Sequence, residues 1–240
     1  MIMKRLLTFI LICCALAGAK AQSRWHELKV GPFSSLTVVN DMDVTCRCVP
    51  DSAGYVRFYC PEENADAVMV EGGASKLKVM ISPDFIERTE RVPEVMVYTD
   101  SLNYAESSST GRVRIERLPR VGNLKVVLMD NGSIELPGIN IGKLHAAIAT
   151  GRGTIAVSGR ADKALYRLVG TGCIDARDVA ADEVTCRVLG GGDIYCQPVK
   201  QLVLKGLGTT RVHYKGTPGK IKKSGLGKLM PMDRDPKITD

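Results

Sequence analysis

One short pattern keeps returning between about Leu124 and Leu229, and it limits what this chain can become. Each copy has an alternating apolar strand, a glycine-marked corner and a second short strand. The corners read Asn131-Gly132-Ser133-Ile134, Gly151-Arg152-Gly153-Thr154-Ile155, Gly170-Thr171-Gly172-Cys173-Ile174, Gly190-Gly191-Gly192-Asp193-Ile194, Gly206-Leu207-Gly208 and Gly225-Leu226-Gly227-Lys228-Leu229. With Gly111 ahead of Arg112, the marker glycines fall at 111, 132, 153, 172, 192, 208 and 227, separated by 21, 21, 19, 20, 16 and 19 residues. A recurring period near twenty is the signature of a stacked array. The expected fold is all-β: a right-handed, β-helix-like solenoid of about 20 residues per rung, with an N-terminal β-strand module as its cap.

The register supports it. Leu124, Val126 and Leu128 point inward before one corner, and Ile134 and Leu136 after it. Leu144, Ala146 and Ile148 with Ile155 and Val157 repeat the arrangement, as do Ala164, Tyr166 and Leu168 with Ile174 and Ala176, and Val184, Cys186 and Val188 with Ile194 and Cys196. Outward positions carry Lys125, His145, Arg167, Arg187, Glu135 and Asp175. A rung with one apolar face cannot bury it alone, so rungs must stack. Sharp corners at positive φ account for the glycines. One alternative stays open, because antiparallel hairpins of a β-sandwich or meander would place inward residues just as symmetrically about each corner.

Composition sets outer bounds. Met1 to Arg5 is a basic start, Leu6 to Gly18 is apolar, and Ala19-Lys20-Ala21 offers small residues where a signal peptidase reads. Residues 1–21 are therefore expected to be a signal peptide, leaving Gln22 first and no membrane span after cleavage. Neither Cys13 nor Cys14 follows a small residue, which argues against a lipid anchor. Losing Lys4, Arg5 and Lys20, and no acid, takes the formal charge from +7 to +4. Lysines 215, 220, 222, 223 and 228 hold much of the excess with only Tyr214 nearby, so no nucleic-acid partner is expected. Aromatics at 5% against 24 glycines favour short strands over a helical core.

Four segments follow: the signal peptide, an N-terminal β module over 22–93, the glycine-cornered solenoid over 94–230 and a disordered tail over 231–240. In the module, strand Phe33 to Val39 precedes an expected hairpin, Val44–Val49 with Tyr55–Cys60 about the turn 50–54. Residues 61–67 suit a helical turn, and Ala67–Glu71 with Lys76–Ile81 suit a second hairpin. Pro83 to Pro93 is expected to be a charged loop that separates module from array.

Phe33-Ser-Ser-Leu-Thr-Val-Val-Asn, Lys76-Leu-Lys-Val, the Ser107-Ser-Ser-Thr-Gly corner and Ser224-Gly-Leu-Gly-Lys-Leu resemble the "putative auto-transporter adhesin, head GIN domain" family of secreted proteins from Bacteroides-like bacteria. The resemblance spans about residues 30 to 230. It implies a β-helical periplasmic or surface protein and brings no catalytic residues. An auto-transporter's own barrel needs at least eight strands of about ten residues. Only eleven residues follow Leu229, so that barrel is not expected here.

No chemistry stands out. His26, His145 and His213 lack the close partners that a zinc site needs, so no metal and no cofactor are expected. Gly-x-Gly corners without a following helix are not phosphate loops. The sharpest catalytic idea is the outward column Arg114, Glu135, Ala156, Asp175 and Tyr195. It sets Glu135 and Asp175 roughly 10 Å apart with space between, within reach of an inverting glycosidase's carboxyl separation. The plainer reading is ordinary solvated acids beside Arg114 and Arg177, with no catalytic residue. The expectation is thus a non-enzymatic envelope protein, exported to the periplasm or cell surface, that binds a protein or glycan through its solenoid surface. Polysaccharide cleavage through Glu135 and Asp175 is the alternative. Of the cysteines beyond the signal peptide, Cys186 and Cys196 oppose one another and are the pair that a disulfide would join; otherwise they are small core residues. Cys173, just after a corner, should point outward.

Overall fold

The computed structural model describes residues 22–88 and 91–232. Residues 1–21, the expected signal peptide, and residues 233–240 of the expected tail lie outside the described residues. Seven strands come first: β1 (Ser23–Lys29), β2 (Ser35–Val39), β3 (Val44–Cys48), β4 (Tyr55–Pro61), β5 (Val68–Gly73), β6 (Lys76–Ile81) and β7 (Val95–Thr99). One helical turn, α1 (Pro83–Ile86), sits between the last two and buries Phe85. Then come β8 (Tyr104–Ser108), β9 (Arg112–Glu116) and β10 (Asn123–Leu128), followed by four long bent strands. These are β11 (Ser133–Ile148), β12 (Thr154–Gly170), β13 (Cys173–Gly190) and β14 (Asp193–Gly208). The series closes with β15 (Arg211–Tyr214), β16 (Lys220–Gly225) and β17 (Lys228–Pro231), so Pro231 is strand rather than tail.

Pairing decides between solenoid and meander. Leu144 on β11 lies opposite Ala164 on β12, which lies opposite Val184 on β13 and then Leu202 on β14, all parallel. The strands on either side of a corner pair with the next rung and not with each other. The molecule is a β-solenoid of about six turns, roughly 20 residues apart. A long strand serves more than one face because it bends. In β12, residues 154–157 lie on one face, residues 159–161 on a narrow third side, and residues 163–170 on the opposite face.

All the inward positions read from the sequence are buried, from Leu124 to Cys196. Each such aliphatic contributes about 1.5–3 kcal/mol by leaving water. Tyr166 is the largest fully buried side chain, stacked between Ala146 and Cys186, whose small size makes room for its ring. Its hydroxyl has no hydrogen-bond partner among the described residues. Cys186 and Cys196 are buried free thiols facing one another, and the hydrogen bond between them, with burial, pushes the Cys186 thiol well up.

Two expectations change. Positive φ does not explain the marker glycines: it occurs at their companions, such as Gly151 and Gly170, whereas Gly172 and Gly192 lie outside that region. The cause at the markers is close approach between rungs. A Cβ on Gly192 would sit 2.0 Å from the Gly172 carbonyl oxygen, and one on Gly172 would sit 2.5 Å from that of Gly153. Gly208 also leaves the series, since it lies opposite Gly190. Buried Thr210 takes the corner position, because Arg211 follows it opposite Asp193. That is why the spacing seemed to drop to 16 residues.

The first expected hairpin does not form. Strand β7 lies between its two halves, parallel to β3 and antiparallel to β4. The 3₁₀ turn Pro50–Ser52 is anchored at both sides on β7, with Val49 N–H donating to the Thr99 carbonyl and Gly54 N–H to that of Tyr98. The β5–β6 hairpin forms as expected. Strands β2 and β3 pair in parallel with β8 and β9, while antiparallel β1 and β4 close that end.

Candidate binding face

The outward residues form two faces. The first, here the ion-pair face, is carried by β9, the leading parts of β11 to β14, and β15. Its outward column runs Arg114, Glu135, Ala156, Asp175, Tyr195 and His213, in the register expected from sequence and extended by one rung. Arg114 donates to Glu135 at 2.6 Å and to Glu116 at 2.7 Å, and Arg47 reaches Glu116 at 3.2 Å. Arg114 and then Arg47 hold the Glu116 carboxyl below its usual range. Asp175 pairs with Arg177 at 2.8 Å, and Arg177 lies over the Tyr195 ring at 4.3 Å. Two rungs of this face share Asp193, which accepts from Arg211 through both oxygens at 2.7 Å and meets His213 at 2.8 Å. Those partners, Arg211 foremost, hold Asp193 at about 2. His213 in turn stacks on Tyr195 at 4.5 Å.

Glu135 and Asp175 are therefore two rungs apart with Ala156 between them, and a recess of about 220 Å³ lies there. That is below the usual 300–1,000 Å³ of a small-molecule site. Each carboxylate is committed to a guanidinium, whereas a general acid must arrive protonated.

The opposite face, the lysine face, is carried by β8, β10, the trailing parts of β11 to β14, and β16. From β10 to β14 it turns Lys125, Lys143, Lys163, Arg167, Arg187 and Lys205 outward against one acid, Glu183. Glu183 pairs with Lys163 at 2.9 Å. Among the described residues, the other five cations have no ion-pair partner; Lys125 lies over the Tyr104 ring at 5.4 Å. Burial, then the Glu106 carboxylate that accepts from its hydroxyl, pushes the Tyr104 phenol up to about 12. The register sets Arg167, Arg187 and Lys205 one rung apart in one column, and Lys143 and Lys163 in another, about 4.8 Å per strand. Between them runs a groove of about 640 Å³, with Asn103 and Asn123 at one end, Lys143 and Lys163 along it, and His145 within. The His145 Nε2 is buried without a hydrogen-bond partner among the described residues. Burial first, then Lys125, Arg167 and Arg187, lower the His145 pKa and keep the ring neutral near pH 7.

The sequence profile of the "Putative auto-transporter adhesin, head GIN domain" family matches residues 32–218. The chain belongs to this family. Solved structures agree on the fold. A "putative adhesin" from Bacteroides fragilis superposes with TM-score 0.74 at 20% identity, covering 88% of this chain and 97% of its own. A "putative lipid binding protein" from Parabacteroides distasonis gives 0.68 at 20% identity, covering 89% and 98%. A "putative adhesin" from Parabacteroides merdae gives 0.65 at 17% identity, again covering 89% and 98%. A search of curated proteins finds no match.

For this GIN-domain chain the sequence reading placed each outward residue correctly but did not sort the residues by face. Alternation puts Lys125 and His145 outward, whereas the charge count along the chain points to the later lysines. The missed signal was available: residues in equivalent positions 20 or 18 apart, such as Arg167, Arg187 and Lys205, form one column. Cys173, expected outward, is half-buried opposite Thr154 and Asp193. Among the described residues no group of three His, Cys, Asp or Glu side chains is placed to hold a metal, and no helix is long and apolar enough to cross a membrane.

Proposed function

We propose that this is a non-enzymatic envelope protein, exported to the periplasm or cell surface, that binds an acidic glycan along its lysine face. One observation carries the reading: five cations without ion-pair partners line one side of a scaffold whose other side neutralises its charges. Family membership supports adhesion as the general role. Cations alone would suit any acidic partner. The groove adds the amides of Asn103 and Asn123, which suit hydroxyl groups. A uronic-acid polymer offers carboxylates and hydroxyls together, in a regular repeat that a stacked scaffold can track.

Titration calorimetry with oligogalacturonate tests this. The wild type should bind with an affinity that falls as salt rises, and Lys125→Glu with Lys143→Glu should weaken binding about tenfold. Equal affinity in that variant would reject the lysine face as the site. The recess beside Glu135 and Asp175 keeps a cleavage reading testable. Release of reducing ends by the wild type, lost in Glu135→Gln, would overturn the non-enzymatic reading.

A further inference from the structure

A row of aliphatic side chains follows the edge of the lysine face, one residue before the corner glycines. Val169 lies opposite Leu189, Leu189 opposite Leu207, and Leu226 occupies the next rung. Leu189, Leu207 and Leu226 are 57%, 59% and 70% exposed; the first two lie on strands that bury their other face, and Leu226 follows the exposed end strand β16. Scattered exposed leucines are ordinary, but a contiguous row on one edge is not. Two residues earlier on the same strands, and on the same side, stand Arg167, Arg187 and Lys205. A shallow depression of about 450 Å³ runs between the two rows.

From this juxtaposition we infer that the corner edge is a membrane-contact ridge that seats on an anionic phospholipid surface. The leucines form the tip, where they enter the acyl boundary. The cations sit about two residues back, at the level of the phosphates, with aliphatic stems lying along the apolar zone. Lys220 and Lys222 extend the positive charge into the next rung. A second copy fits poorly. Packing two leucine rows face to face brings two rows of arginine and lysine together, with only Glu183 nearby to offset them. The two readings share the cations Arg167, Arg187 and Lys205, and Arg187 also lines the groove, but the leucine row lies outside the groove lining, so substitutions there test the ridge alone.

The test is flotation of the protein from Gln22 onward with phosphatidylethanolamine–phosphatidylglycerol vesicles, and with phosphatidylcholine vesicles as a neutral control. The form from Gln22 contains every described strand and omits the apolar Leu6–Gly18 run, which would bind lipid by itself. Wild type should float with anionic vesicles, release at high salt and ignore neutral ones. Combined Leu189→Ser, Leu207→Ser and Leu226→Ser should lower partition at least about tenfold and leave oligogalacturonate affinity unchanged. Circular dichroism confirms that this variant folds. Arg167→Glu with Lys205→Glu should also prevent flotation. No flotation of wild type, or equal flotation of the serine variant, overturns the inference. So does concentration-dependent dimerisation that the serine substitutions abolish without any vesicle binding, which would assign the ridge to a second copy.

Discussion

The lysine face and the ion-pair face are built from the same rungs and share one core, yet they handle charge in opposite ways. On the ion-pair face, Arg112, Arg114, Arg177 and Arg211 meet Glu116, Glu135, Asp175, Asp193 and Asp43, and each has a partner within 4 Å. On the lysine face, among the described residues from β10 to β14, only Lys163 does so. Exposed ion pairs contribute little stability, so neither arrangement is required by the fold. The difference concerns what each surface presents to solution. A neutralised surface offers little attraction to a charged polymer, whereas a row of unpaired cations at the rung spacing focuses positive potential along a groove.

The comparison breaks most readily where both faces depend on one feature, the corners. Gly192→Ala places a Cβ against the Gly172 carbonyl and should cost about 3 kcal/mol by overpacking, read as a lower denaturant midpoint. Glycan binding on one face and acid resistance on the other should weaken together. Next in size is selectivity between the faces. Glu135→Gln with Asp175→Asn should leave oligogalacturonate affinity within about twofold of wild type, while reversal of Lys125 and Lys143 lowers it about tenfold.

Acid sharpens the contrast further. Asp193 is held at about 2 in the folded state, below its ordinary value near 3.9 in an unfolded chain. The unfolded chain therefore takes up the proton first. The stabilisation is complete above about pH 4 and is lost as pH falls through about 2. Solvent screening keeps it to about 1 kcal/mol. Thermal melts across that window should show a shallower loss in Arg211→Ala than in wild type. The smallest effect belongs to the core between the faces. Tyr166→Phe removes a buried hydroxyl without a partner and should change stability by less than about 1 kcal/mol, toward a gain.

Alternation along each strand made the core legible in the sequence, because one apolar face per rung admits a single inward set. Stacking followed from the period. Two things were not legible. The insertion of β7 between β3 and β4 is a long-range pairing that local alternation cannot report, since a turn such as Pro50–Ser52 looks the same whether its flanking strands pair or not. The substitution of Thr210 for a corner glycine hid the true register of the last rungs, because Gly208 offered a nearer but misaligned marker. The lysine face fell between these cases. Its residues were assigned outward, but their convergence depends on columns that exist only once the rungs are aligned.

His145 gives the most direct test of the lysine face, since its ring lies among the unpaired cations and its Nε2 has no partner. An NMR titration of the histidine ring signals, with and without saturating oligogalacturonate, reads that environment. In the free protein His145 should titrate below its ordinary value. Because the folded pKa is depressed, stability is full above about pH 6.5 and declines as pH falls through the folded value. Bound carboxylates should offset Lys125, Arg167 and Arg187 and move the His145 midpoint upward. An unchanged His145 midpoint under saturation would contradict the assignment of binding to the lysine face.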